Sequence, residues 1–312
     1  MDAVPGVQFG EQPRQVRLGG GHRDEEFRRD LAVGTTQADP SPIVAEPRAR
    51  FGDLLAAEWI KIRSLRSTPW TLTFTALFAI GSSALAAMAD YNNLAHPGPG
   101  ARRLDGFLCF DAYPPAGWMT LVLAAGSVGT IAVVSEYGSG LIRTTTVAVP
   151  ARESVMLAKA VVVAAIWAVV GTAISLGSFL VSQAILSGQH AGVPITYPGA
   201  LRAMVASALV APVSALVGLG IGILVRHIAA GMVTTLFILL LLPTVFSQSK
   251  QWSADIFQLM VTSAWKRLVQ TWGQFPGNPV HIATVAESWA VYAIWPLATI
   301  GLALLVVRRR DV

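Results

Sequence analysis

Six stretches of this chain run for eighteen or more residues without an Asp, Glu, Lys, Arg or His: Trp70–Ala89, Gly117–Val134, Ala160–Leu186, Ala203–Val225, Ile228–Phe246 and Ser288–Val307. A bilayer's hydrocarbon core is about 30 Å thick and takes roughly 20 helical residues to cross. Lipid offers no partner for a backbone N–H or C=O, so such runs must satisfy their own hydrogen bonds as helices. They predict an all-α, polytopic membrane protein with six transmembrane helices. The third run is longer than a bilayer requires and should tilt or project beyond it.

Composition agrees. Only 13% of the residues are charged and 53% are hydrophobic, about half the charge content of an average soluble protein. The net charge of +5 could point to nucleic acid, but the basic residues gather at the ends of the apolar runs rather than along one face. They orient the spans instead. Lys61, Arg63, Arg66, Arg143, Arg152, Lys159, Arg226, Arg308, Arg309 and Arg310 flank one set of ends, and Arg102, Arg103, Arg202, Lys250, Lys266 and Arg267 flank the other. Ten against six places both termini in the cytoplasm, with the protein in a bacterial cytoplasmic (inner) membrane.

Residues 1–50 mix Gly, Pro, Arg, Asp and Glu without periodicity and contain no apolar core of signal-peptide type. They read as a disordered tail, or as a translation start placed too far upstream, ahead of a six-span membrane domain at 51–312. Phe51 to Ser67 differs. Phe51, Leu54, Leu55, Trp59, Ile62 and Leu65 fall on one helical stripe, which predicts an amphipathic helix in the membrane interface. Glu58 is a misfit, because it lies inside the apolar sector. Between the fifth and sixth spans, Ile256 to Trp272 predicts an amphipathic or re-entrant helix too short to cross.

Several functions are disfavoured by what the spans lack. Ion-coupled carriers place an ionisable side chain at membrane depth, and the six runs hold none. The histidines His22, His96, His190, His227 and His281 are scattered singly, so no base–nucleophile pair or metal-ligand spacing emerges. The single cysteine, Cys109, excludes an internal disulfide and reads as an inert thiol. None of Lys61, Lys159, Lys250 or Lys266 is followed by Ser or Thr, so a phosphate-cradling loop is missing and ATP hydrolysis is not expected on this chain.

The segment between the second and third spans reads Ser135-Glu136-Tyr137-Gly138-Ser139-Gly140-Leu141-Ile142-Arg143-Thr144-Thr145-Thr146-Val147-Ala148-Val149-Pro150-Ala151-Arg152, with Lys159 opening the third span. It resembles the permease subunits of type-2 ABC exporters, in which Glu-Tyr, Gly-(Thr)-(Ile/Leu)-Arg-Thr-Thr, Pro-x-(Ser/Arg) and a Lys follow in this order. Ala57-Glu58-Trp59-Ile60-Lys61-Ile62-Arg63 is similar to that family's entry helix. The resemblance spans about Phe51 to Arg310. Two departures stand out: Gly138 and Ser139 replace bulkier residues, and Leu141 stands where Thr is common.

The resemblance implies a six-span permease that pairs with a second permease, as a homo- or heterodimer. It works with a separate cytoplasmic ABC ATPase that carries ATP and Mg, and its substrate route is flanked by the second and fifth spans. It also implies a cytoplasmic coupling helix from Gly140 to Val149, containing Arg143 and Thr144 and ended by Pro150, with Glu136, Arg143, Arg152 and Lys159 fixing it through charge pairs. For Glu58 and Lys61 two readings stand side by side: a surface pair on the interfacial helix, or a Glu58 that leaves lipid to meet the ATPase or the coupling loop. Apolar spans suggest a hydrophobic or amphipathic cargo. An ion-driven carrier and a non-transport scaffold are the competing functions.

Small residues recur in the spans, among them Gly126, Gly129, Gly171, Gly218 and Gly222. They read as sites of close helix approach within the chain rather than as a dimer face. Pro212, Pro243 and Pro296 are expected to bend or break the last three spans.

Overall fold

The computed structural model describes residues 50–64, 67–96, 109–139, 152–246, 250–271 and 282–309. Residues 1–49, where the tail is expected, and the segment 140–151 lie outside them. Among the described residues every regular element is helical: α1 (Phe51–Ser64), α2 (Ser67–Ala95), a 3-10 turn (Phe110–Ala112), α3 (Pro115–Ser139), α4 (Arg152–Ser187), α5 (Ala200–Val225), α6 (Ile228–Val245), α7 (Gln251–Gln258), α8 (Val261–Val269) and α9 (Val285–Arg309). Six of these, α2 to α6 and α9, are long and apolar enough to cross a membrane. This is a multi-pass membrane protein. The extra length of the third span is realised as 36 helical residues in α4, about 54 Å at 1.5 Å per residue.

The bundle is organised around α5. Of its most apolar stretch 78% is buried, against 22% for α2 and for α6. Small side chains make this possible. A methyl group added at Gly129 would overlap the carbonyl oxygen of Ala215, one at Gly218 would overlap that of Gly126, and one at Gly171 would overlap that of Ala208. The helix backbones therefore touch, and Gly218 and Gly222 serve packing inside the chain. Three neighbours also donate a hydrogen bond to α5. Thr130 of α3 reaches the Gly218 carbonyl at 3.0 Å, Ser175 of α4 the Met204 carbonyl at 2.8 Å, and Tyr292 of α9 the Ala206 carbonyl at 3.2 Å.

The three prolines lie in the last three spans, and α5 and α9 continue as helix through theirs. Pro212 and Pro296 lie inside α5 and α9. In α6 a π-helical segment, Phe237–Leu241, leads into Pro243. Pro243 has no N–H to give the carbonyl of Leu239 four residues back, and the Thr262 hydroxyl donates to that carbonyl at 3.3 Å.

The stretch after α6 forms a helix–turn–helix, α7 and α8, rather than one continuous helix. In α8 Val261, Thr262, Ser263, Ala264, Trp265, Leu268 and Val269 are buried. Trp265 packs on Trp118 and donates from Nε1 to Ser207 Oγ at 3.1 Å, two turns into α5. Arg202 donates to the carbonyls of Leu268 at 2.9 Å and Gln270 at 2.6 Å, covering the open end of α8. At the opposite end of the bundle, Arg308 of α9 forms a two-pronged ion pair with Glu153 of α4. That brings the last helix to the same end as α1.

Candidate functional site

Four charged side chains from three helices meet where α1, the end of α3 and the start of α4 come together. The local cause is visible in α1 and α4. Leu54 packs on Val155 and Ala158, and one turn further along each helix the same faces present Glu58 and Lys159. Glu58 and Leu54 form the buried part of the stripe that faces α4, where the residue opposite Glu58 is a lysine, while Phe51 and Trp59 of the same stripe are exposed.

The charges alternate around a closed ring. Lys159 Nζ lies 2.5 Å from Glu58 Oε2 and 2.8 Å from Glu136 Oε1, while Lys61 Nζ lies 2.7 Å from Glu58 Oε1 and 3.1 Å from the same Glu136 oxygen. Glu58 and Lys159 are each 2% exposed and Glu136 7%. Only the Lys61 side chain, 39% exposed, reaches the surface. Burial alone would pull the Lys61 ammonium down, but the hydrogen bond it donates to Glu58 and the charge of Glu136 outweigh it and hold the group above its ordinary 10.5.

Two carboxylates and two ammonium groups cancel, which is the condition under which charge can be buried at all. The surface-pair reading of Glu58 does not hold. It does bond to Lys61 three residues on, yet it is enclosed and also holds Lys159, 101 positions away. Glu136 and Lys159, expected to act through charge pairs, are joined directly to each other. Of the remaining residues in the expected set, Gly140, Arg143, Thr144 and Pro150 lie outside the described residues. Arg152 opens α4.

The ring's position defines what it can do. It ties together the last turn of α3 and the first turns of α4, the two helix ends that flank segment 140–151, and fastens both to α1. A push on that segment is delivered to two spans and to α1 at once.

Two other groups that stood out in the sequence, His227 and Cys109, serve the fold. His227 caps α6, its Nδ1 accepting from the Ala230 amide at 3.2 Å. Cys109 is buried, and burial with the nearby Asp111 charge pushes its thiol up to about 11. Among the described residues no group of three or more His, Cys, Asp or Glu side chains is placed to hold a metal ion.

No protein-family model matches the chain, and no curated protein matches it.

Proposed function

We propose that this chain is the membrane-spanning permease subunit of an ATP-driven ABC exporter, moving a hydrophobic or amphipathic substrate across the bacterial cytoplasmic membrane. Its energy comes from a separate ATPase subunit that carries ATP and Mg. The observation that carries the reading is the buried ring of Glu58, Lys61, Glu136 and Lys159, which clamps α1 to the two helix ends bordering the segment with the exporter-like Gly140, Arg143, Thr144 and Pro150.

The physical requirement is mechanical. Closure of a cytoplasmic ATPase has to become displacement of membrane helices, and packed helices move as rigid bodies rather than deforming. In this reading segment 140–149 forms the coupling helix gripped by the ATPase, and α1 lies in the interface at the cytoplasmic face. The ring converts motion of that helix into a joint displacement of α1, α3 and α4. Both termini are cytoplasmic, and a second permease completes the passage. Without the ring, α3 and α4 would be joined near the segment by the loop alone, each keeping its own contacts with α5, and could absorb the push separately.

The test has two arms. Purified from its native host, the wild-type chain should retain an ABC ATPase, and Arg143→Ala or Glu136→Gln should uncouple ATP hydrolysis from transport. A cysteine placed at position 143 should be shielded from impermeant maleimide in intact cells and labelled in inverted vesicles. Labelling from outside, or a chain that never retains an ATPase and transports normally with both substitutions, defeats the reading.

A further inference from the structure

At the same end of the bundle, in the two-residue hairpin between α5 and α6, Arg226 combines three features that packing alone does not account for. Its backbone is left-handed, with φ 56° and ψ 17°, at the position closing α5. Glycine is the usual residue there, because a side chain with a Cβ is strained in that conformation. The guanidinium lies over the ring of Tyr137 from α3, 5.0 Å from its centroid. Its Nε and Nη2 atoms are both buried, and neither has a hydrogen-bond partner.

Nε and Nη2 share one edge of the guanidinium. That edge is the fork that grips two oxygens of a carboxylate or phosphate side by side. Tyr137 fixes the plane of the fork and the left-handed backbone fixes its root, so the donors are oriented before anything binds. The ion ring nearby cannot answer them. Glu136, the neighbour of Tyr137, is held by Lys61 and Lys159, and the ring's charges already cancel. Glu153 is taken by Arg308. Among the described residues Arg226 thus remains an uncompensated positive charge with two buried donors.

The surroundings favour a ligand from the membrane. α6 begins two residues later, and its opening residues Ile228, Ala229 and Ala230 are exposed, as is Val233 a turn on, so lipid borders this end of the helix. An anion reaching Arg226 from that side sits where an apolar span ends, the depth of the headgroups. We propose that Arg226, braced on Tyr137, is a phosphate-binding site, and that its ligand is the headgroup phosphate of an anionic phospholipid. The inference does not rest on the exporter reading, since a carrier or scaffold would bind the lipid equally well.

The experiment is protection of Arg226 from phenylglyoxal, read by peptide mass mapping on the full-length wild-type protein in detergent. Dioctanoyl phosphatidylglycerol, dioctanoyl phosphatidylcholine and millimolar inorganic phosphate are added separately. Phosphatidylglycerol should protect Arg226 at concentrations where phosphatidylcholine protects it much less. In parallel, native mass spectrometry should show roughly tenfold weaker phosphatidylglycerol retention in Arg226→Gln, since a charge-assisted fork of this kind is lost. Arg226→Lys should recover part of it, and Tyr137→Leu should fall between. Protection by inorganic phosphate as strong as by the lipid would move the assignment to a free anion and overturn the lipid part. Equal reactivity in every arm overturns the site. Protection that appears only when a partner protein is added would assign the fork to a protein carboxylate and also overturn it. The protection arm uses unaltered protein, so a variant that fails to fold leaves the question decided.

Discussion

Each end of the bundle holds helices too short to span, and the two ends secure them by opposite means. At one end α1 is fastened to α3 and α4 through four buried charges. At the other, α8 is fastened to α5 by apolar burial of Trp265, Leu268 and Val269, with neutral hydrogen bonds and the Arg202 guanidinium on backbone carbonyls. The difference bears on what each attachment is for. Apolar burial is non-directional and holds a helix wherever the surfaces fit. An alternating ion ring holds only while all four groups keep their geometry, and loses much of its value when one is displaced. The first suits a fixed plug, the second a joint that transmits force.

The comparison breaks most readily at Lys159. Lys159→Met leaves two enclosed carboxylates facing the single ammonium of Lys61, which should cost roughly 3–5 kcal/mol. A large fall in thermal midpoint in detergent is expected. Pairing it with Glu58→Gln should cost clearly less than the two single losses added, a coupling a double-mutant cycle measures. Simple additivity would mean the ring is not one unit.

Trp265→Ala should destabilise by about 3 kcal/mol through lost burial at the other end, while leaving any ATPase retention intact. Loss of the ATPase in this variant would erase the proposed division between a plug and a joint. Arg202→Gln removes two charge-assisted bonds to the end of α8 and should cost about 2 kcal/mol. Faster amide exchange should be confined to α8 and its neighbours on α5.

The smallest effect separates the two ends by pH. The Lys61 ammonium is held above its ordinary 10.5, so its contribution is fully present below that value and is lost as the pH rises through the folded-state value. The thermal midpoint should therefore show no step from Lys61 near neutral pH and should fall in strong alkali. That alkaline fall should be smaller in Lys61→Gln and unchanged in Trp265→Ala.

Parts of the ring were legible beforehand. Glu58 stands out in sequence as a charge inside an apolar stripe, and Lys159 as the last charge before the longest apolar run. What could not be read was that each is the other's partner. Helical periodicity gives the face on which a residue lies, but not which other helix that face meets. The α7–α8 pair shows the same limit. Its length excluded a full crossing, while the burial of Trp265 against Trp118 and Ser207 depends on how α3 and α5 are arranged.

The sequence by itself determined that this chain crosses a membrane as six helices, because hydrocarbon leaves a polar backbone few options and charge-free runs of the right length declare themselves one by one. Only the tertiary structure decided that α5 is the hub, that Glu58 faces Lys159, and that Arg226 lies over Tyr137. These depend on contacts between residues far apart in the chain, where stability comes from side chains fitting a partner surface that no local pattern encodes.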